Sequence, residues 1–243
     1  MGFELHSYPD DAALAKAVGA GWLRQLQTRK DAKTPYTVAL SGGRIARTFF
    51  AEIRRQVGEN RVAFKNIWAN VHFFWADERC VPPSDPESNF AVARQILFEP
   101  LKIPEGQIHR IPGEQPEPLA LRQAVSDVLG VAPVGGNGQP IFDMVFLGMG
   151  EDGHVASLFP GEPGAVMASP AICRSVTAVK PPPQRITLGY GAIAAAVEVW
   201  VLVSGAGKQT ALEESLLPAG KTPLARVLRL RERTKIFSDV EPR

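Results

Sequence analysis

Asp152 and His154 place a carboxylate and an imidazole two residues apart, inside a glycine-rich turn. The turn follows the mostly apolar residues 142–147, whose composition is typical of a strand buried on both faces of a parallel sheet. Open α/β sheets bind their ligands where such strands end. An imidazole at that position can accept and donate protons, so residues 142–161 predict a catalytic site. The alternative is a structural histidine that is held by hydrogen bonds.

The three glycines of this turn also match the GxGxxG spacing of dinucleotide-binding loops. That fingerprint lays a pyrophosphate on a helix N-terminus and needs an acidic residue about 20 positions later. Here Glu151 and Asp152 would repel a pyrophosphate, and residues 163–197 contain no Asp or Glu. Arg174 could serve a 2′-phosphate, but the two carboxylates argue against this loop as a cofactor site. We therefore predict no nucleotide cofactor.

A second glycine turn, Ser41-Gly42-Gly43-Arg44, follows the apolar strand predicted at Tyr36–Leu40 and precedes a helix predicted at 45–57. This arrangement directs free backbone N–H groups and the positive end of a helix dipole toward an anion. The alternative is a tight turn without a ligand. Arg44 at the mouth of the turn favours a phosphate.

Charged residues also stand where two further predicted strands end. Asp77, Glu78 and Arg79 follow the apolar residues 71–76, and the alternative for them is a solvated surface cluster. Lys208 closes a glycine turn that lacks Walker A spacing, and Arg185 follows a rigid proline loop. Because the carboxyl ends of parallel strands meet at one edge of a sheet, these groups should surround the imidazole. Several cations around one imidazole indicate a small anionic substrate such as a phosphate ester.

The elements that would position these groups alternate between strand and helix. Leu14, Val18, Trp22 and Leu26 form an apolar stripe behind the helix cap Asp10. Further strands are predicted at 3–8, 107–111, 172–179, 186–188, 197–203 and 234–237, and further helices at 89–97, 118–129 and 209–217. The alternation predicts one α/β domain over residues 1–243, a three-layer α/β/α structure with a mainly parallel, Rossmann-like sheet.

The composition excludes several classes of protein. A chain that is 45% hydrophobic and 21% charged is an ordinary globular one. Its net charge of +2 provides no bulk attraction for nucleic acid, so any anion must be held locally. Two cysteines make no disulfide framework and suit a reducing compartment. The first residues lack the features of a signal peptide, and the apolar residues 193–203 are too few to cross a bilayer. We predict a cytoplasmic protein that binds neither nucleic acid nor membrane.

Four blocks of the sequence resemble those of the 6-phosphogluconolactonases. They are ADERCVPPSDPESN at 76–89, LGMGEDGHVASLFPG at 147–161, RITL at 185–188 and GAGK at 205–208. The resemblance extends over nearly the whole chain, in the right order. It implies hydrolysis of 6-phospho-D-glucono-1,5-lactone to 6-phosphogluconate in the oxidative pentose phosphate pathway. It also implies the fold shared with glucosamine-6-phosphate deaminases and catalysis without a metal or an organic cofactor.

The resemblance also implies roles for individual residues. His154 matches the family's base, Arg79 and Lys208 match its phosphate ligands, and Arg185 matches the arginine of its RIT segment. Asp152 would orient the imidazole if side chains two residues apart can meet, and backbone N–H groups of the glycine turn are candidates for stabilising an oxyanion. The predicted catalytic residues are His154 and Asp152, and the predicted substrate- and phosphate-binding residues are Ser41, Gly42, Gly43, Arg44, Asp77, Arg79, Gly150, Gly153, Arg185 and Lys208. No metal ligands are predicted, since the four histidines are scattered along the chain.

Three departures from the family pattern involve four residues. Ile45 and Ala46 replace a Thr-Pro pair after the first glycine turn, Val155 replaces a threonine beside the base, and Ala194 replaces an asparagine. The first change removes a hydroxyl that could contact phosphate, and the second removes a polar group. Neither removes a residue that the chemistry must have.

Two other functions fit the same residues. A sugar-phosphate isomerase or deaminase of this fold needs a carboxylate base, which Asp77 or Asp152 could supply. A non-catalytic sugar-phosphate sensor would bind the same anion without turnover. For either function or for a lactonase, we expect a monomer or a weak homodimer.

Overall fold

The computed structural model describes residues 2–29 and 33–242. Its strands are β1 (Phe3–Ser7), β2 (Tyr36–Leu40), β3 (Val71–Trp75), β4 (Asp77–Arg79), β5 (Met144–Gly148), β6 (Cys173–Thr177), β7 (Gln184–Leu188), β8 (Glu198–Val203) and β9 (Thr234–Ser238). Its helices are α1 (Asp11–Gln27), α2 (Arg44–Glu59), α3 (Asn89–Ala93), α4 (Glu99–Leu101), α5 (Glu117–Val131), α6 (Gly164–Met167), α7 (Tyr190–Ala195), α8 (Gln209–Leu216) and α9 (Pro223–Leu230). No helix in these ranges is long and apolar enough to cross a membrane.

The central sheet has six parallel strands in the order β1-β9-β8-β5-β2-β3. From β2 the chain moves outward to β3, and it then returns to β5 on the other side of β2. The strand order therefore reverses between β2 and β5, which is where open α/β sheets bind ligands. These two strands pair only at Val38 with Met144 and at Ala39 with Val145. Their carboxyl ends are thus free to diverge and form a crevice.

Helices flank the sheet and give the three-layer α/β/α arrangement that the sequence predicts. The predicted stripe on α1 is buried, and Trp22 packs edge-on against Phe146 of β5 with ring centroids 5.1 Å apart. Phe49 of α2 contacts the same phenylalanine ring at 4.8 Å. The Asp10 side chain accepts a hydrogen bond from the Ala13 N–H at 2.7 Å, as expected of a helix cap.

A second, antiparallel sheet of three strands, in the order β4-β7-β6, corrects one prediction. Residues 77–79 were expected in a loop at the end of the third strand, but they form β4. The Leu188 N–H donates to the Ala76 carbonyl at 2.7 Å, so the chain passes from one sheet into the other without a loop. A strand of three charged residues has no apolar alternation, and its partner lies more than 100 residues away, so its pairing could not be predicted.

Other elements differ in smaller ways. The strand predicted at 107–111 is a 3₁₀ turn at Glu105–Gln107 and one bridge from Ile108 to Phe73. The helix predicted at 89–97 consists of α3 and a π-helical turn at Arg94–Phe98. Helices α4, α6, α7 and α9 were not predicted. The first three are too short to give a clear periodicity.

Two histidines fasten the loop after the 3₁₀ turn to β3. The His72 Nδ1 and His109 Nε2 atoms are 2.9 Å apart, and the His109 ring stacks on Phe74 with centroids 4.5 Å apart. Burial lowers the pKa of both imidazoles. The charge of His72 lowers the pKa of His109 further, and Asp127 opposes this shift. The folded protein therefore favours the neutral pair.

This pair predicts a pH dependence of stability. Because the pKa of His109 is lower in the folded protein, the unfolded chain binds the proton more readily, and the free energy of unfolding falls below about pH 6.5. His109→Phe keeps the stacking on Phe74 but removes the titrating group. Denaturant unfolding from about pH 7 to about pH 5 should show a shallower fall for the variant than for the wild type. If the free energy of unfolding fell equally with pH in both proteins, His109 would not be a group that causes the fall.

Candidate active site

A cleft lies where β2 and β5 diverge. Nine of the predicted site residues line it: Ser41, Gly42, Gly43, Asp77, Arg79, Gly150, His154, Arg185 and Lys208. Ile45, Asn89, Gly148, Met149 and Ala156 complete the lining. Arg44, Asp152 and Gly153 lie outside it. The structure therefore brings together groups from four strand ends and from the second sheet.

The Ser41–Arg44 turn presents unpaired polar atoms to the cleft. Gly43 is the N-cap of α2 and supplies no side-chain cap. Within the described residues, no acceptor pairs with the N–H groups of Gly42 and Gly43, and the buried Ser41 hydroxyl has no partner. Gly42 must lack a side chain, because a Cβ there would lie 1.8 Å from Oδ1 of Asn89. This turn can therefore bind an anionic oxygen.

The imidazole of His154 is held by its own loop. The His154 Nδ1 and Asp152 Oδ1 atoms are 2.5 Å apart, and the same oxygen accepts the backbone N–H of His154 at 3.1 Å. The two side chains therefore do meet. The ring lies over Gly150, where a Cβ would be 2.1 Å from both Nδ1 and Cε1. On another side, the His154 ring packs against the Phe159 ring with centroids 4.9 Å apart.

The hydrogen bond between Asp152 and His154 fixes the tautomer of the imidazole. Partial burial by itself would raise the pKa of Asp152, but the hydrogen bonds and charge of His154 outweigh it and hold that pKa below its usual value. Asp152 is therefore a carboxylate and accepts the proton on Nδ1. Nε2 then carries the free lone pair, which is the arrangement of a general base.

The backbone of this loop is largely occupied by its own hydrogen bonds. The Gly150 N–H donates to the His154 carbonyl at 2.9 Å, and the Gly153 N–H donates to the Gly150 carbonyl at 3.1 Å. Gly153 has φ +78°, and a Cβ there would collide with Thr222. These two N–H groups therefore shape the loop and are not available to a ligand, whereas those of Gly42 and Gly43 are. Gly42 and Gly43 are thus further candidates for oxyanion donors.

Two arginines lie opposite each other in the second sheet. Arg79 of β4 and Arg185 of β7 are direct cross-strand partners, so their side chains project from the same face. Burial lowers the pKa of Arg185, and the charge of Arg79 lowers it further, while Asp77 and Glu87 oppose the shift. Like charges at such a pair destabilise a sheet. An anion bound between them would remove this repulsion.

Backbone oxygens hold the two guanidinium groups in place. Arg185 donates from Nε to the Pro182 carbonyl at 3.1 Å and from Nη2 to the Lys180 carbonyl at 3.3 Å. Arg79 donates from Nη1 to the Glu87 carbonyl, and its buried Nε has no partner among the described residues. Both groups keep further N–H donors for a ligand.

Lys208 contributes a third cation. Burial lowers its pKa, the neighbouring charge of Arg44 lowers it further, and Asp239 and Glu151 oppose the shift. Within the described residues, no hydrogen bond or ion pair holds the Lys208 ammonium. Arg44 itself is exposed and donates to the Ser204 carbonyl at 3.4 Å, so its role in phosphate binding stays a prediction.

The Glu78 side chain is buried and is not a solvated surface charge. Its carboxylate accepts the N–H groups of Arg79, Asn89 and Phe90 at 2.7 to 2.8 Å and the Ser88 hydroxyl at 3.0 Å. Burial raises the pKa of Glu78 to about 7, although all four donors act to lower it. This carboxylate closes residues 79–88 into a loop between β4 and α3.

Asp77 and Asn89 form the floor of the cleft. The Asp77 carboxylate accepts the Ser157 hydroxyl at 2.7 Å, and the Asn89 amide donates to the Asp77 carbonyl at 2.8 Å. Asn89 was given no site role from the sequence, although it ends one of the blocks that carry the family resemblance. Its position between Gly42 and Asp77 depends on the fold.

The structure also shows the surroundings of Val155 and of the turn that matches the GxGxxG spacing. Val155 is fully buried and forms bridges to Met149 and Leu158, so it faces the core and does not line the cleft. A turn follows Gly150, whereas a dinucleotide fingerprint needs a helix there. Arg174, which could have served a 2′-phosphate, pairs with Glu162 at 2.6 Å.

The described residues also contain no cluster of three or more His, Cys, Asp or Glu that could hold a metal.

Fold and cleft together define an α/β protein with a cation-lined cleft at the switch point of its sheet. Residues 9–236 match the model of the glucosamine-6-phosphate isomerase/6-phosphogluconolactonase family. The chain belongs to this family. The resemblance seen in the sequence is thereby confirmed.

Individual relatives agree with this assignment. The chain is 32% identical over 222 residues to a 6-phosphogluconolactonase of Mycobacterium tuberculosis, covering 89% of this chain and 87% of that protein. The structure of 6-phosphogluconolactonase from Trypanosoma brucei is 26% identical, with a TM-score of 0.80 over 98% of this chain and 95% of that one. A monomeric glucosamine-6-phosphate deaminase, 16% identical, shares the fold with a TM-score of 0.75 over 98% of this chain and 97% of that one.

Gly150 offers a direct test of how the imidazole is held. In Gly150→Ala the new Cβ would occupy the position of the ring, so the ring must move away from Asp152. We expect kcat for lactone hydrolysis to fall by about 10²- to 10⁴-fold, the usual contribution of a positioned base, while the fold is kept. Gly136→Ala is the matched control, since its Cβ would have no atom within 4 Å. Equal kcat values for the two variants would contradict this account.

Proposed function

We propose that this protein hydrolyses 6-phospho-D-glucono-1,5-lactone to 6-phospho-D-gluconate, the lactonase step of the oxidative pentose phosphate pathway. The observation that carries the proposal is an imidazole with a free Nε2, held by Asp152 beside a cleft that contains three cations. The named 6-phosphogluconolactonases among the relatives support the same reaction.

In this proposal the cations bind the phosphate of the substrate. Arg79 and Arg185 present two forks of N–H donors from one face of the second sheet, and Lys208 adds a point charge. A dianionic phosphate would relieve the repulsion between the two arginines. The free N–H groups of Gly42 and Gly43 and the hydroxyl of Ser41 are then available for other oxygens of the substrate.

His154 then acts as the base. Nε2 takes a proton from a water molecule, whose oxygen attacks the lactone carbonyl carbon and forms a tetrahedral oxyanion. The C–O bond to the ring oxygen then breaks, and the protonated imidazole returns its proton to that oxygen. Asp152 stabilises the imidazolium that forms between the two steps. Each proton donated is thus recovered, and no cofactor is needed.

The proposal extends to the chain as a whole. We propose that residues 1–243 form a single 6-phosphogluconolactonase-like domain that acts in the cytoplasm as a monomer or a weak homodimer. The family match over 9–236 and the single hydrophobic core support the one-domain description.

A lactonase assay of the pure protein, corrected for spontaneous hydrolysis, tests the reaction. We expect turnover of the phosphorylated lactone and none of glucosamine 6-phosphate. His154→Ala should lower kcat by about 10²- to 10⁴-fold and change substrate binding little, because the phosphate is held elsewhere. A variant within about threefold of the wild type would remove His154 from the mechanism. Binding without turnover in the wild type would instead favour a sensor.

A further experiment tests whether Arg79 and Lys208 bind the phosphate of the substrate and do not act at its carbonyl group. Arg79→Lys and Lys208→Ala should each lower kcat/KM for the phosphorylated lactone, mainly through KM, by about 1.5–3 kcal/mol of lost charged hydrogen bonding. Unphosphorylated gluconolactone cannot make this contact, so it should be a poor substrate that loses almost nothing further in either variant. Equal fractional losses on both lactones would mean that these cations act at the carbonyl.

A further inference from the structure

A second cavity, of about 520 Å³, lies between the loop after β5 and helix α9. Its size is within the range of sites for small molecules. It is lined by Phe159, Pro160, Gly161, Glu162, Met167, Tyr190, Pro218, Ala219, Gly220, Lys221, Pro223, Arg226 and Arg229. None of these residues lines the catalytic cleft. The cavity adjoins the catalytic residues at Phe159, whose ring packs against His154, but the reaction proposed above gives the cavity no role.

The charges around the cavity are strongly unbalanced. Lys221, Arg226 and Arg229 supply three cations, and the one acidic residue in the lining is Glu162. Glu162 is already occupied, because Arg174 donates from Nη2 to both of its carboxylate oxygens at 2.6 and 2.7 Å. The three cations of the lining are left without a carboxylate partner among the described residues. An anion of two charges fits this field.

Hydrogen-bonding groups in the wall are also unsatisfied. Tyr190 is 3% exposed, and its hydroxyl has no partner among the described residues. Nε of Arg226 is likewise buried without a partner. A buried polar group without a partner costs free energy unless a ligand or solvent pairs with it. Both groups lie on the wall that carries the cations.

The arginines are held in position before any ligand arrives. Arg226 donates from Nη2 to the Met167 carbonyl at 3.0 Å, and its guanidinium lies over the Tyr190 ring at 5.0 Å. Arg229 donates from Nη1 to the Gly220 carbonyl at 2.6 Å. Each guanidinium keeps further N–H groups for an anion. Phe159, Met167 and the prolines of the lining provide an apolar surface for the rest of a ligand.

We propose that this cavity is a second anion site, separate from the catalytic cleft, which binds the phosphate of a phosphorylated small molecule through Arg226, Arg229 and Lys221. The excess of positive charge in the lining favours the binding of an anionic phosphate. The volume and the apolar part of the wall accommodate a body of about the size of a sugar.

Site-resolved NMR with inorganic phosphate as the probe tests the proposal. The parent protein carries Arg79→Met and Lys208→Met, so that phosphate binding in the catalytic cleft is weakened. Phosphate is added at constant ionic strength, and the backbone amide signals of Gly161, Gly220 and Lys221 are followed. We expect these signals to shift along a saturable curve. The wild type, followed in parallel, should show the same curve.

Substitutions distinguish a specific phosphate site from a general attraction of phosphate to positively charged residues. In the parent background, Arg226→Met should weaken binding by about tenfold or more, as expected for the loss of a charged hydrogen bond. Tyr190→Phe, which removes only the hydroxyl, should weaken it by a smaller factor. Arg54→Met is the matched control, since it removes one exposed positive charge from α2, and it should bind phosphate as the parent does.

Three results would overturn the proposal. The first is the absence of saturable shifts at the three amides in both parent and wild type. The second is an unchanged affinity in Arg226→Met. The third is a wild-type response confined to the amides of Gly42 and Gly43, which would mean that phosphate binds in the catalytic cleft alone.

Discussion

The repulsion between Arg79 and Arg185 is the constraint on which the organisation of the site depends. Two guanidinium groups at one cross-strand pair oppose the pairing of β4 with β7, and Glu87, 3.7 Å from Arg79, offsets part of this charge. The antiparallel sheet nevertheless forms, and beside the arginine pair the buried Thr187 hydroxyl donates to the Ala76 carbonyl at 3.3 Å. The sheet thus holds two positive charges beside the parallel sheet, at the point where β2 and β5 separate.

Buried polar contacts keep this arrangement rigid. Glu78 ties the loop after β4 to the first turn of α3, and Asn89 connects that helix to Asp77 and to the surface of Gly42. A change at any of these contacts would move Arg79 relative to the imidazole. The imidazole itself depends on much less of the fold, because Gly150, Asp152 and His154 lie within five residues of one loop. The groups proposed for phosphate binding and those proposed for proton transfer are therefore supported by different parts of the molecule.

The sequence by itself determined the parts of the structure that depend on neighbours along the chain. The buried strands of the parallel sheet, the Asp10 cap and the apolar stripe of α1 follow from local periodicity, and all of them are present. The strand–glycine–helix turn at Ser41–Arg44 was predicted for the same reason. The Asp152–His154 contact was open, because spacing of two residues does not fix whether side chains meet. The turn around Gly150 decided it.

Only the tertiary structure decided which distant groups share one cleft. The second sheet pairs residues 77–79 with residues 185–187, and such long-range pairing leaves no local pattern in the sequence. Glu78 belongs to the same charged triplet as Asp77 and Arg79, yet packing turned it inward to accept hydrogen bonds from backbone N–H groups. Asn89 lines the cleft because α3 packs against β4. Val155 does not line it, because the loop buries that side chain. Residue type sets which chemistry is available, whereas burial and long-range pairing set which residues perform it.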